Sequence, residues 1–314
     1  MDSSTSTTLF TIFLLYIFRQ KGVVDAATFT LVNKCSQTVW PAILGHPAMD
    51  TTGFELPKGG SRAFQSPTGW SGRFWGRTGC TFAGSGRGSC ATGDCGSGQV
   101  ECNGAGSTAA TLAEFTIGSG SMDFYDVSLV DGYNLPVMVD VSGGSGQCQS
   151  TGCVEDLNKL CPAELRTDDG GACRSACDAY GKPEYCCRGE FGSPSTCKPS
   201  AYSQMFKNAC PKSYSYAYDD ATSTFTCTAA DYLITFCPTH PSQKSSNGTG
   251  NDSGPEDGSG VGSGSGSMPE AMLADGSWLA NLAIGGSSRT RSLGATLRIV
   301  AAVVHLPSTV VLLV

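Results

Sequence analysis

Cysteine is missing from both ends of this 314-residue chain: all 16 cysteines lie in the block that begins at Cys35 and ends at Cys237. An even number of cysteines confined to one block implies a disulfide framework. Such a framework persists in oxidising compartments, which excludes the cytosol. No Cys-x-x-Cys occurs, and no histidine lies between His46 and His240. Zinc sites favour close cysteine pairs completed by histidine, and redox sites need Cys-x-x-Cys, so neither a metal nor a redox centre is expected. No other cofactor is implied. Charge is scarce at 15% of residues, with a formal net charge of −7. A binder of phosphate backbones needs clustered Lys and Arg, so nucleic acid is excluded as a partner. Long apolar runs are lacking too. The run at 9–18 is short for a bilayer span, and the run at 299–314 is interrupted by His305 and Pro307.

What the ends do contain reads as addresses. The apolar run at 9–18 leads to Val24-Asp25-Ala26-Ala27, small residues suited to cleavage, so 1–26 is expected to be a signal peptide. Residues 240–284 form a Gly/Ser-rich linker that cannot bury a core. It carries two glycosylation sequons, at Asn247 and Asn251. Gly285-Gly286-Ser287-Ser288, a polar spacer and the apolar end make 285–314 a GPI-anchor signal, removed on processing. The expected location is the outer face of the plasma membrane or the cell wall. Membrane contact is expected through the anchor alone, and the protein is expected to be a monomer.

The cysteine block spans about 200 residues, enough for one sizeable core. The chain has 41 glycines, which favours turns over long helices. Thr28-Phe29-Thr30-Leu31-Val32 and Thr38-Val39-Trp40 are rich in β-formers. Residues 111–117 alternate, with Ala113, Phe115 and Ile117 on one face and Leu112, Glu114 and Thr116 on the other. The β-rich runs at 127–130 and 137–139 flank Asp131-Gly132, a strong hairpin signal. Runs at 223–226 and 232–236 read as two more strands. These strands are expected to build an antiparallel β-sandwich. From Cys153 to Cys210 the pattern changes to few β-rich runs and many cysteines, as in a small stapled subdomain. Residues 154–160 read as a short helix stopped at Cys161-Pro162. Cys186 and Cys187 are adjacent, so each is expected to bond a different partner.

One absence points to chemistry. No Lys or Arg stands between Arg87 and Lys159, while nine acids do. Gathered on one surface, they would make a negative cleft. Close carboxylates raise one another's pKa, and one acid beside one base is what glycoside hydrolysis needs. The plain alternative is a solvated acidic face. Trp40, Trp70, Trp75, Tyr133 and the tyrosines from Tyr214 to Tyr218 could stack on sugar rings, although core packing is the commoner use of such residues. Arg87 among Gly84, Gly86 and Gly88 reads as a turn.

Gly86-Arg87-Gly88-Ser89-Cys90-Ala91-Thr92-Gly93-Asp94-Cys95, closed by Gly98 and Cys102, resembles the signature of the thaumatin-like (pathogenesis-related 5) proteins. Trp75-Gly76-Arg77-Thr78-Gly79-Cys80, Leu112-Ala113-Glu114-Phe115 and Ser128-Leu129-Val130-Asp131-Gly132-Tyr133-Asn134 are similar to that family too. So are Tyr185-Cys186-Cys187, Cys210-Pro211, the run from Tyr214 to Asp220, and Thr224-Phe225-Thr226-Cys227. The resemblance covers about residues 27–238 and all 16 cysteines. The linker and apolar end resemble the longer, membrane-anchored members.

The resemblance implies a mainly β fold, a flattened sandwich from 27–77, 110–154 and 211–239. It adds a small disulfide loop at 78–109 and a disulfide-rich domain at 155–210. It implies the pairs Cys35–Cys237, Cys80–Cys90, Cys95–Cys102, Cys148–Cys227, Cys153–Cys210, Cys161–Cys173, Cys177–Cys186 and Cys187–Cys197. It also implies an acidic cleft at Arg73, Glu114, Asp126, Asp131 and Asp220, with Arg77 and Asp219 as close neighbours of two of these positions. The loop between Glu114 and Asp126 is one residue shorter than in typical members. The implied activity is defence by binding β-1,3-glucan of fungal walls and hydrolysing it weakly. Glu114 is then the general acid and Asp131 the base or nucleophile. The competing reading is a non-catalytic carbohydrate-binding or signalling component held at the cell surface.

Overall fold

A computed structural model describes residues 26–103, 106 and 109–238. Almost all of the expected signal peptide, Asn247, Asn251 and the expected anchor signal lie outside the described residues. Thirteen strands are found among them: β1 (Thr28–Asn33), β2 (Trp40–His46), β3 (Ser61–Gln65), β4 (Ser71–Arg77), β5 (Thr81–Phe82), β6 (Gly88–Ser89), β7 (Leu112–Thr116), β8 (Asp123–Ser128), β9 (Gly132–Tyr133), β10 (Val137–Ser145), β11 (Thr151–Cys153), β12 (Cys173–Arg174) and β13 (Phe225–Phe236). Five short α-helices accompany them: α1 (Leu157–Leu160), α2 (Ala176–Tyr180), α3 (Pro183–Cys186), α4 (Ala201–Ala209) and α5 (Asp220–Ser223).

Nine strands form one curled sheet in the order β11-β10-β13-β8-β7-β4-β2, with β1 beside β13 and β3 beside β1. Strand β13 makes the curl. Its residues 225–227 pair with β8, and from Thr228 onward it pairs with β10. Ala229, between the two stretches, has φ +53°, a backbone turn that L-residues seldom take. The sheet thus folds over itself into a flattened sandwich. Rings from the two layers meet inside: Phe29 of β1 lies 4.9 Å from Phe74 of β4 and 4.7 Å from Phe115 of β7, centroid to centroid.

Three sequence expectations are corrected. Phe225-Thr226 and the run at 232–236 belong to the single strand β13, while Ser223 ends α5 and Thr224 caps it. The sandwich is not wholly antiparallel, because β1 pairs β13 in parallel, both running toward the Cys35–Cys237 disulfide. Asp131-Gly132 does not join a hairpin. The strands on either side of it, β8 and β10, pair with β13 rather than with each other. Asp-Gly is a local signal, and β13 offers β10 eight paired residues across long sequence separation. The turn itself exists: Gly132 N–H donates to Leu129 C=O at 3.0 Å. Gly132 has φ +109°, and a Cβ there would stand 2.6 Å from the Cys173 carbonyl oxygen. Only glycine fits, and the turn hands β9 to β12 of the disulfide-rich region.

That region has its own core, in which Leu129, Tyr133, Leu157, Leu165 and Phe206 pack with cysteines. The helix expected at 154–160 is shorter, Leu157–Leu160, and Asp156 makes no capping bond to start it earlier. The 16 cysteines form eight disulfides, and the pairs are those the resemblance implies. Cys186 and Cys187 bond different partners. Strands β5 and β6 form a small hairpin between Cys80 and Cys90, whose turn at 83–86 is closed by the Gly86 N–H bond to Ala83 C=O, 2.8 Å, and Arg87 follows the turn in a bridge with Gln99.

Candidate functional site

Alternation along three neighbouring strands builds the site. Phe74 of β4, Ala113 and Phe115 of β7, and Tyr125 and Val127 of β8 point into the sandwich. The residues between them, Arg73, Glu114 and Asp126, must point outward. The strand register sets them side by side: Arg73 is opposite Glu114, and Glu114 is opposite Asp126. Three ionisable side chains therefore stand in one row across three strands.

Two more acids reach this row from outside the sheet. Asp131 comes from the turn after β8, and its Oδ2 lies 3.6 Å from Arg73 Nη1. The same nitrogen lies 4.0 Å from Glu114 Oε1. Asp220 is the first residue of α5 and accepts a hydrogen bond from Tyr214 Oη at 2.9 Å. Tyr214 is fixed in turn along the end of β8 by bonds to Val127 C=O and from Leu129 N–H. Of the five residues implied by the resemblance, Glu114 and Asp131 thus face Arg73, Asp126 flanks Glu114, and Asp220 acts on Asp126.

Their exposure is graded. Arg73, Glu114 and Asp126 are 1%, 2% and 1% exposed, the Asp131 side chain is 16% exposed, and Asp220 is open to solvent. Burial disfavours the charged form of a carboxyl, and a nearby cation restores it. Burial pushes Glu114 up to about 7, against the opposing pull of Arg73 and a hydrogen bond from Ser128. Burial raises Asp131 to about 8, with Arg73 and Arg188 opposing and Glu114 and Asp178 adding to the rise. Asp126 is also held well above the usual carboxylate range, by burial and then by Glu114 and Asp220. Among the described residues, Glu114 Oε1 and Asp126 Oδ1 have no hydrogen-bond partner. A proton on these buried carboxyls offsets the cost of burying them.

The near neighbours have other work. Arg77 is buried on the same face of β4 but donates to the carbonyls of Trp40 and Val100, which anchors the small loop. Asp219 accepts from Ser215 and pairs with Lys207 at 3.0 Å. Most aromatic candidates for sugar stacking are core residues. Trp70, Trp75 and Tyr133 are fully buried; Trp75 Nε1 donates to Gly93 C=O, and Tyr133 Oη donates to Glu155 C=O. Tyr214 is buried as the hydrogen-bond partner of Asp220.

Sequence reasoning did not find Ser128, Asp178 or Arg188. Ser128 was detectable, since it lies two residues from Asp126 and so shares its strand face. Asp178 and Arg188 carried no such signal, because they come from the disulfide-rich region across long sequence separation.

The Thaumatin family model matches residues 33–238. "Thaumatin-like protein 1" of Arabidopsis thaliana is 66% identical over 229 residues, covering 69% of this chain and 88% of that protein. "Pathogenesis-related protein 5" of Arabidopsis thaliana is 54% identical over 232 residues, covering 72% of this chain and 96% of that protein. Among solved structures, the thaumatin-like xylanase inhibitor TLXI matches with 25% identity and a TM-score of 0.39, covering 67% of this chain and 99% of that one.

Proposed function

The chain belongs to the thaumatin family, and from that premise we propose that it is a pathogenesis-related defence protein that binds β-1,3-glucan of fungal walls. The observation that carries this reading is the row Arg73, Glu114 and Asp126 with Asp131 on the same guanidinium nitrogen. A sugar chain presents many hydroxyls and no charge. Carboxyl oxygens accept such hydroxyls, and Asp131 and Asp220 stand at the accessible side of the cluster.

Weak hydrolysis is the second part of the reading. Two oxygens that share one nitrogen at 4.0 and 3.6 Å lie within about 7.6 Å of each other. That upper bound admits the spacing of about 5 to 5.5 Å used by retaining glycosidases and excludes the widest spacings of inverting ones, which reach about 9.5 Å. Glu114 is assigned as the proton donor and Asp131, the more exposed of the two and the nearer to Arg73, as the base or nucleophile. Because burial raises Asp131 to about 8 and Glu114 to about 7, the assignment requires Asp131 to be the one that gives up its proton when substrate binds. A reducing-end assay on soluble β-1,3-glucan tests this part. Turnover by the wild type and none by Asp131→Asn is expected; equal rates would end the enzymatic claim and leave a binding module.

The disulfide framework supports a location outside the cytosol. Residues 1–26 serve as the signal peptide, and 285–314 as the signal for a GPI anchor that holds the domain at the plasma membrane through a glycosylated linker. Treatment of membranes with phosphatidylinositol-specific phospholipase C should release the mature protein. A protein already soluble before treatment would remove the anchor.

A further inference from the structure

Away from the acidic cluster, three tyrosines meet on the surface of the disulfide-rich region. Tyr180 ends α2, Tyr185 lies in α3 and Tyr202 is near the start of α4. Their ring centroids are 5.7, 5.8 and 6.1 Å apart. Tyr180 is 40% exposed, and Tyr185 and Tyr202 are half-buried, whereas Tyr125, Tyr133, Tyr214 and Tyr232 are buried. The tips are arranged as a chain. Tyr202 Oη donates to Glu164 Oε1 at 3.2 Å, which leaves Tyr180 Oη to donate to Tyr202 Oη at 3.0 Å.

Packing alone explains three rings in contact. It does not require two phenol hydroxyls to face each other in the open, ending on a carboxylate. A phenol loses an electron most readily when a base takes its proton in the same step. The hydroxyls are 3.0 Å apart and the ring centroids 5.8 Å apart, so the two phenols lie side by side with their oxygens together. We infer that Tyr180 and Tyr202 form an oxidative cross-linking site, coupled to dityrosine by a haem peroxidase that uses hydrogen peroxide.

Each phenol gives up one electron and one proton and becomes a phenoxyl radical. The peroxide takes the two electrons and two protons and leaves as two waters. The radicals join through one carbon ortho to each oxygen, and the hydrogen on each joined carbon moves to its oxygen, restoring two phenols. Glu164 accepts the proton of Tyr202 as the electron leaves and releases it to solvent, from which the peroxide takes its two protons. The new bond would link α2, already tied to α3 by Cys177–Cys186, to α4, whose end is tied to β11 by Cys153–Cys210. Two separately stapled units would become one.

The test treats the purified full chain, disulfides intact, with a haem peroxidase and limiting hydrogen peroxide. Blue dityrosine fluorescence is expected in the monomer, with a mass loss of two hydrogens. Peptide mapping after reduction should join the Tyr180 peptide to the Tyr202 peptide. Tyr180→Phe and Tyr202→Phe, each with unchanged melting temperature, should lose the cross-link. Glu164→Gln should form it more slowly. The inference is overturned if no dityrosine forms, if it appears only in covalent dimers, or if it persists in both phenylalanine variants. An unchanged rate in Glu164→Gln would remove Glu164 as the proton acceptor.

Discussion

Strands β4, β7 and β8 present two faces made from alternate residues. Inward, Phe74, Phe115 and Tyr125 meet Phe29 and Tyr232 of the opposite layer. Outward, Arg73, Glu114 and Asp126 are as dry as the aromatic rings, yet the acids outnumber the single cation. Burying rings is favourable, and burying carboxyls is not. The inner face therefore holds the fold together, while the outer face holds chemistry that the inner face must support. The same two-residue period produces both.

The largest effect should come from the inner face. Phe115→Ala removes a ring that touches four aromatic neighbours and should cost about 3–5 kcal/mol in denaturant unfolding. A cost near that of a surface substitution would erase the contrast. Next comes Arg73→Met, which leaves Glu114 and Asp131 buried without their counter-charge. It should cost about 3 kcal/mol near pH 8 and much less near pH 4, because neutral carboxyls need no cation.

The pH dependence of the wild type sharpens the comparison further. Glu114 is raised from 4.5 to about 7 and Asp131 from 3.8 to about 8. Between those limits the folded chain keeps protons that the unfolded chain has released. Stability is then greatest below about pH 4 as far as these two groups are concerned, and falls as pH rises to about 8. The slope is at most about 1.4 kcal/mol per pH unit for each carboxyl. The double variant Glu114→Gln/Asp131→Asn should flatten that fall, and thermal melts from pH 4 to 8 would read it. The smallest effect on stability belongs to Glu114→Gln alone, within about 1 kcal/mol of wild type at pH 6, since the replaced group is already neutral there.

The difference between the faces was partly legible in the chain. Alternation at 111–117 placed Phe115 and Glu114 on opposite faces, and the structure keeps that division. The partners of a strand are another matter. Nothing local tells β7 that Arg73 and Asp126 will flank Glu114, because register is fixed by packing over the whole sheet. The Asp131-Gly132 hairpin failed for the same reason: a local turn signal was overruled by the long strand β13. The disulfide set and the five clustered residues were reachable through family resemblance, which carries long-range information that spacing does not. Asp178 and Arg188 had neither route.

The central claim is that the outer face of these strands binds β-1,3-glucan, and co-sedimentation of the full chain with insoluble linear β-1,3-glucan tests it most directly. The account predicts that wild type sediments with the glucan at pH 6. The Glu114→Gln/Asp131→Asn variant, folded and melting no lower than wild type, should stay in the supernatant. Equal sedimentation of the two proteins, or none by wild type, would contradict it.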